Sequence, residues 1–216
     1  MSENPVNSPA APVAPRLVLA TRNAGKLREL RELLRGQIPG LDVDTQVIDA
    51  ATAGAPDVVE SGTTFEANSL LKAREVAAAT GLVAVADDSG LAVDVLGGAP
   101  GIFSARWSGR HGEDDANLQL LLAQLADIPQ AQRGASFVCA AAVALPDGTA
   151  RVTLGELRGS LLSEPRGSGG FGYDPILQPE GRDESCAELS ADEKNSISHR
   201  AKAFEALLPH LIEALR

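Results

Sequence analysis

At 216 residues, 44% apolar and 22% charged, the chain is long enough for one large domain or two small lobes around a substantial core. A formal net charge of −10 argues against a nucleic-acid-binding surface, which needs a basic face, although a local pocket can still take a small anion. Cys139 and Cys186 are the only cysteines, too few for a disulfide framework or a thiolate zinc site, and no apolar run reaches the ~18 residues of a membrane span.

Residues 1–15, "MSENPVNSPAAPVAP", lack the basic start and apolar core of a signal peptide. They read as a disordered extension, and the expected address is cytoplasmic. "RLVLA" (16–20) reads as a short buried strand, and "GKLRELRELLRG" as a helix with Gly36 as its stop. "LDVDTQVI" (41–48) alternates like a second strand, and 49–62 is a loop. "TTFEANSLLKAREVAAATG" (63–81) predicts a helix, with Thr63 and Glu66 as a capping box and Gly81 closing it. "LVAVA" (82–86) predicts a buried strand ending at Asp87-Asp88, broken at Ser89-Gly90, with "LAVDVL" (91–96) as its return.

"DDANLQLLLAQLAD" (114–127) predicts an amphipathic helix. "ASFVCAAAVAL" and "TARVTLGELRG" predict a long hairpin turning at Pro146-Asp147-Gly148, with Cys139 a small buried hydrophobe. A glycine-rich loop, "RGSGGFGYDP", follows. The C-terminal stretch from Ala191 is mostly helical, with Pro209 a kink or a break. This mixture predicts an α/β protein with a mixed sheet, without repeats or an interdomain linker.

Several segments carry chemical signals. "LATRNAGKLREL" joins the first strand to the first helix, whose N-terminus favours an anion, with Lys26 in the first turn. It is not a phosphate-loop signature, because Ala20 stands for the first glycine and Leu27 for the Ser/Thr; Asn23 as a mere helix cap beside a solvated Lys26 is the alternative. "GSGGFG" spells G-x-G-x-x-G but opens no helix, since Pro175 follows. Phe171 and Tyr173, two of seven aromatics, make it a base-binding loop rather than only a flexible turn. Glu60, Asp87 and Asp88 are the carboxylates placed to meet at a strand end and hold a hard divalent cation. A turn at Ser89-Gly90 explains one aspartate but not two.

Asn68 and Lys72 share a helix face, and His199-Arg200 begin the last helix as adjacent donors; each pair is also what a solvated surface would carry. Lysine is scarce, 4 against 15 arginines, yet Lys26, Lys72 and Lys194 all fall in these segments. No serine has a nucleophile-elbow context. Cations, paired carboxylates and aromatics together point to a nucleotide.

"LATRNAGK", "SGTTFEANSLLKA", "ADDSGLAVDVLGGAPGIFSAR", "GSGGFGYDPI" and "SHRAKA" resemble, in order and spacing, the inosine triphosphate pyrophosphatases (dITP/XTP pyrophosphatases) over nearly all of 16–210. The resemblance implies an elongated mixed β-sheet flanked by helices, in one two-lobed domain over 16–216 with a central nucleotide cleft, and a homodimer without nucleic-acid or membrane partners. It implies Mg²⁺-dependent cleavage of dITP, ITP and XTP to the monophosphate and pyrophosphate. Thr21, Arg22, Asn23, Ala24, Gly25 and Lys26 would then wrap the triphosphate, with Lys72 as a second phosphate cation. Glu60 and Asp88 would hold Mg²⁺, Asp88 would activate the water, and Ser89 would lie beside the substrate. Phe171, Gly172, Tyr173 and Asp174 would form the base loop, with Lys194, His199 and Arg200 completing purine recognition.

Two positions depart from the family pattern. Ala67 stands where a glutamate commonly precedes the helix asparagine; Glu66 cannot replace it, because one residue turns a helix by about 100°. Arg22 stands where others have glycine, with little effect expected. A pyrophosphatase for other modified nucleotides and a nucleotide-binding regulator without turnover are the alternatives, the second disfavoured by the paired carboxylates.

Overall fold

The computed structural model describes residues 14–22 and 24–216. The expected extension (residues 1–13 of it) and the Asn23 assignment lie outside the described residues, as does the Ala24 side chain. Six strands form one mixed sheet in the order β2-β1-β3-β4-β5-β6. β1 (Leu17–Leu19) lies parallel to both β2 (Val47–Asp49) and β3 (Val83–Val93). From β3 onward the sheet is antiparallel, through β4 (Gly134–Ala144), β5 (Ala150–Leu161) and β6 (Leu177–Pro179). The β4–β5 hairpin turns at Pro146-Asp147-Gly148 as expected, whereas β6 is three residues long and left no periodicity to detect.

The helices correct several expectations. α1 (Ala24–Leu34) follows β1, and Gly36 takes a left-handed φ of 72° beyond its end. The expected strand 41–48 is half helical. Asp42 accepts from the Asp44 amide and the Thr45 hydroxyl and caps the single turn α2 (Val43–Gln46) before β2 begins. Local side-chain bonding outweighs the alternating pattern there.

α3 (Phe65–Thr80) closes at Gly81 as expected, but its cap is Thr64, which accepts from the Ala67 amide. The Thr63–Glu66 capping box does not form, because the cap sits one residue further on. α4 (Asp114–Gln124) matches its expectation. The C-terminal break falls at Ser198 rather than Pro209: Ser198 ends α5 (Ala191–Ile197) in an extended conformation and caps α6 (His199–Ala214), which carries Pro209 inside it.

The largest correction concerns β3. No break occurs at Ser89-Gly90; the strand runs eleven residues unbroken, because β4 pairs with it in register from Ala84↔Ala144 to Val93↔Ala135. The long antiparallel ladder outweighs the turn preference of Ser-Gly. Residues 94–96, expected as strand, form a 3₁₀ turn instead.

Successive strand residues face opposite sides, so one strand serves two layers. Ala84 and Ala86 pack beneath α3 with Ala73, Val76 and Ala77. Val85 packs on the other face with Leu30 of α1 and Phe204 and Leu207 of α6. Beyond the middle of β3, Leu91 and Val93 belong to a separate core with Phe137 and Leu121 of α4. Residues 87–90 lie between these cores, where β1 has ended and β3 continues, so a cleft opens at the carboxyl ends of the parallel strands.

Gly155 lets α6 lie directly on β5. A Cβ there would stand 2.1 Å from the His199 carbonyl oxygen and 2.4 Å from the Ala203 amide nitrogen, both helix backbone that cannot rotate away. Gly155→Ala is therefore expected to destabilise the protein by about 1–3 kcal/mol, read as a lower urea midpoint with an unchanged slope. An unchanged midpoint would mean that α6 moves at no cost.

Candidate functional site

Asp87 and Asp88 are neighbours in β3 and therefore point to opposite faces of the sheet. Both are nearly inaccessible, at 2% and 7% exposure, and both line a cleft of about 540 Å³. Each has its own set of cations.

On the α3 face, Asn68 Nδ2 donates to Asp88 Oδ2 at 3.1 Å, while the Gly62 amide donates to Asn68 Oδ1 at 2.8 Å. The second bond orients the Asn68 amide, and Asn68 in turn orients the carboxylate. Lys72, one helical turn further along α3, places its Nζ 3.5 Å from Asp88 Oδ1 and 2.5 Å from Glu60 Oε1. Burial raises the Asp88 pKa above the ordinary carboxylate value, reinforced by Glu60 and opposed by Lys72 and Lys26. Glu60 shifts the other way, because Lys72 and, further off, Lys26 and Arg106 outweigh its desolvation. The two carboxylates thus differ in basicity, with Asp88 the stronger base.

On the opposite face, Asp87 Oδ2 meets Lys26 Nζ at 3.0 Å and Arg200 Nε at 3.3 Å. Burial opposes its ionisation, but Lys26, Arg200 and Lys72 hold its pKa well below the usual range. Arg200 is 3% exposed; its Nη1 pairs with Glu29 and its Nη2 donates to Ser89 Oγ at 3.0 Å. Ser89 donates onward to Asp87 Oδ2 at 3.3 Å. Arg200 therefore directs Nε, Nη1 and Nη2 at protein groups, and it forms the floor of the cleft rather than reaching out into it.

At the far end, Phe171 is 39% exposed, with Lys194 Nζ 5.1 Å and the Arg200 guanidinium 6.0 Å from its ring centre. Asp174 accepts from Lys194 Nζ at 2.7 Å and from the Phe171 amide at 2.8 Å, which ties α5 to the glycine loop. Burial raises the Asp174 pKa, while Lys194 opposes the rise. Gly170 is needed here: its φ is +73°, and a Cβ would lie 2.0 Å from Asp174 Oδ2. His199 stacks on Phe137 at 5.0 Å. Burial, with Arg200 and Lys194 nearby, keeps its pKa well below 6.5, so the imidazole is neutral, and its buried Nδ1 has no hydrogen-bond partner among the described residues.

The fold gathers Thr21, Arg22, Lys26, Glu60, Lys72, Asp88, Ser89, Phe171, Gly172, Tyr173, Asp174, Lys194, His199 and Arg200 around this one cleft. Gly25 lies within α1 and is not part of the lining. Tyr173 departs from its stacking expectation: it is 5% exposed, and its hydroxyl donates to the Ser104 carbonyl at 2.9 Å, so it anchors the loop and leaves Phe171 as the open ring. Glu66 is not the cap, which is Thr64; its carbonyl accepts from the Ser69 hydroxyl.

Sequence reading missed Glu29, Asp57, Arg106, His111 and Asp114. Glu29, three residues after Lys26 on α1, was detectable by helical spacing. Asp114 was hidden as a first-turn helix residue; its carboxylate accepts from the Gly172 amide at 3.0 Å.

Among the described residues, no group of three or more His, Cys, Asp and Glu side chains could hold a metal. Glu60 and Asp88 nevertheless converge on one cationic centre, the Lys72 ammonium. Two carboxylates beside a cleft of this size suit Mg²⁺, which takes one or two carboxylates and completes its shell with water and phosphate oxygens.

The model of the Ham1 family matches residues 17–210. A dITP/XTP pyrophosphatase of Streptomyces avermitilis is 66% identical over 200 residues, covering 93% of this chain and 98% of that protein. One from Mycobacterium bovis is 51% identical over 196 residues, covering 91% and 95%. Among solved structures, a HAM1 protein from Coxiella burnetii superposes with a TM-score of 0.82 at 40% identity, covering 93% of this chain and 100% of that one. A nucleoside-triphosphatase / dITP/XTP pyrophosphatase from Mycobacterium abscessus gives a TM-score of 0.72 at 48% identity, covering 90% and 99%.

Proposed function

The chain belongs to the Ham1 family, and on that premise we propose that it hydrolyses deaminated purine nucleoside triphosphates to the monophosphate and pyrophosphate. The observation that carries the reading is Asp88: a buried carboxylate of raised pKa, oriented by Asn68 and sharing the Lys72 ammonium with Glu60. A carboxylate made more basic by its surroundings is suited to take a proton from water at neutral pH. Lys26 and Lys72 lie along the cleft to offset charge on the leaving pyrophosphate. Glu60 and Asp88 would hold Mg²⁺, which when bound neutralises phosphate oxygens.

At the base end, Phe171 offers a ring face and His199 a neutral imidazole with an unsatisfied nitrogen. In the tautomer that carries the proton on Nδ1, a hypoxanthine or xanthine 6-oxo group can accept a hydrogen bond there, whereas the 6-amino group of adenine leaves donor facing donor. Pyrophosphate release from ITP, XTP and dITP should exceed release from ATP by at least about 10²-fold, and chelation of divalent cations should stop it. Equal rates for ITP and ATP would remove the base assignment. The reading also includes a homodimer and a cytoplasmic address, the former open to light scattering on the purified chain; no helix among the described residues is long and apolar enough to cross a membrane.

Exchange of Lys72 for Met should raise the KM for dITP by about tenfold or more, since it removes a cation from the phosphate path. It should also displace the acid limb of the kcat/KM profile. Lys72 lowers the Asp88 pKa, so its loss raises that pKa, and the deprotonated base appears only at higher pH. An acid limb that stays in place would separate Lys72 from Asp88.

A further inference from the structure

On the rim of the cleft Arg22, expected only as one of the residues that wrap the triphosphate, is held in an ion pair with a carboxylate. Arg22 Nε lies 2.8 Å from Asp57 Oδ1, and Arg22 Nη2 donates to the Ala55 carbonyl at 3.2 Å. One guanidinium therefore straps the segment after β1 to the loop after β2. Both segments carry the deeper machinery, since Lys26 follows Arg22 in one and Glu60 follows Asp57 in the other.

The cations are graded in depth. The Lys26 and Lys72 side chains are 17% and 13% exposed, whereas that of Arg22 is 51% exposed and its partner Asp57 82%. On the pyrophosphatase reading, with water attack beside Asp88, the phosphates to be released would extend outward past the two lysines toward the rim. The outermost phosphate would then meet the outermost of these three cations. An exposed Arg–Asp pair contributes little and exchanges readily, and a phosphate offers the guanidinium fork a bidentate partner of higher charge than a carboxylate.

We propose that Arg22 is the recognition group for the terminal phosphate and that Asp57 holds it in reserve: triphosphate binding opens the pair, and the guanidinium exchanges Asp57 for phosphate. The pair thereby selects triphosphates over diphosphates and replaces the expectation that arginine at this position matters little. The proposal rests on the pyrophosphatase reading.

The test compares the full-length wild type with Arg22→Ala, Asp57→Asn and the double variant; both side chains are exposed, so the fold is not at stake. Arg22→Ala should raise the KM for ITP about tenfold with kcat within about twofold, and leave the inhibition constant of IDP unchanged. Asp57→Asn should lower the KM for ITP, and the double variant should match Arg22→Ala, because Asp57 acts only through Arg22. Calorimetry with inorganic tripolyphosphate should show the same pattern, with pyrophosphate indifferent to Arg22.

Equal effects on ITP and IDP, no effect on either, or a weakened triphosphate affinity in Asp57→Asn would overturn the proposal. Absence of pyrophosphate release from every triphosphate by the wild type would instead overturn the functional reading, and the tripolyphosphate–pyrophosphate comparison would still decide Arg22.

Discussion

Asp88→Asn should lower pyrophosphate release from dITP by about 10²- to 10⁴-fold while the protein stays folded, the scale on which a positioned base contributes. The fold survives because the carboxamide keeps the acceptor for Asn68, and Lys72 keeps Glu60 at 2.5 Å. Burial raises the Asp88 pKa, so the stabilising form of this group is the protonated one. Its contribution is full below the unfolded value and is lost as pH rises through the folded one. The neutral asparagine should therefore be at least as stable as the wild type near pH 7. Turnover near the wild-type rate, with the far-ultraviolet spectrum and melting temperature retained, would take the base role away from Asp88.

Asp87→Ala should behave in the opposite way, as a folding defect first. Removing a carboxylate of 2% exposure takes away the buried counterion that Lys26 and Arg200 share. Breaking a buried pair from one side costs about 3–5 kcal/mol, a large share of a typical domain's stability. The pH dependence gives a second reading. The folded pKa of Asp87 is depressed, so its stabilisation is present above the unfolded value and is lost as pH falls through the folded one. Wild-type stability should thus fall on acidification below about pH 4, and Asp87→Asn should flatten that fall. Equal acid sensitivity in wild type and variant would assign the loss to other carboxylates.

The different outcomes of these neighbouring substitutions come from strand geometry. As a turn, "DDSG" would have put both carboxylates on one side, repelling each other. In an unbroken strand they are separated by the sheet and given different cations. β4 brings this about by pairing along the whole of β3, a partner some fifty residues away that no local window contains. The C-terminal break has a local cause instead: it falls at Ser198 rather than Pro209, because the Ser198 side chain caps the next helix through the Ala201 amide. The long-range limit explains another misreading. Tyr173 turns inward because the Ser104 carbonyl accepts its hydroxyl.

Residue chemistry was legible wherever it depended on type and short spacing. The nearly continuous apolar run of β4, the helix α3 with its glycine stop, the scarce lysines, and the carboxylates Glu60 and Asp88 could all be read along the chain. Those patterns were enough to read an α/β fold and to expect a cleft for an anion and a metal, and the motif resemblance supplied the expected reaction. Tertiary structure alone decided which carboxylate has its pKa raised beside Asn68 and Lys72 and which is held ionised between Lys26 and Arg200, that Arg200 is part of the cleft floor, and that Arg22 is strapped to Asp57. The physical reason is that ionisation and hydrogen bonding depend on burial and on charges a few ångströms away, and these are brought together by pairings between distant segments.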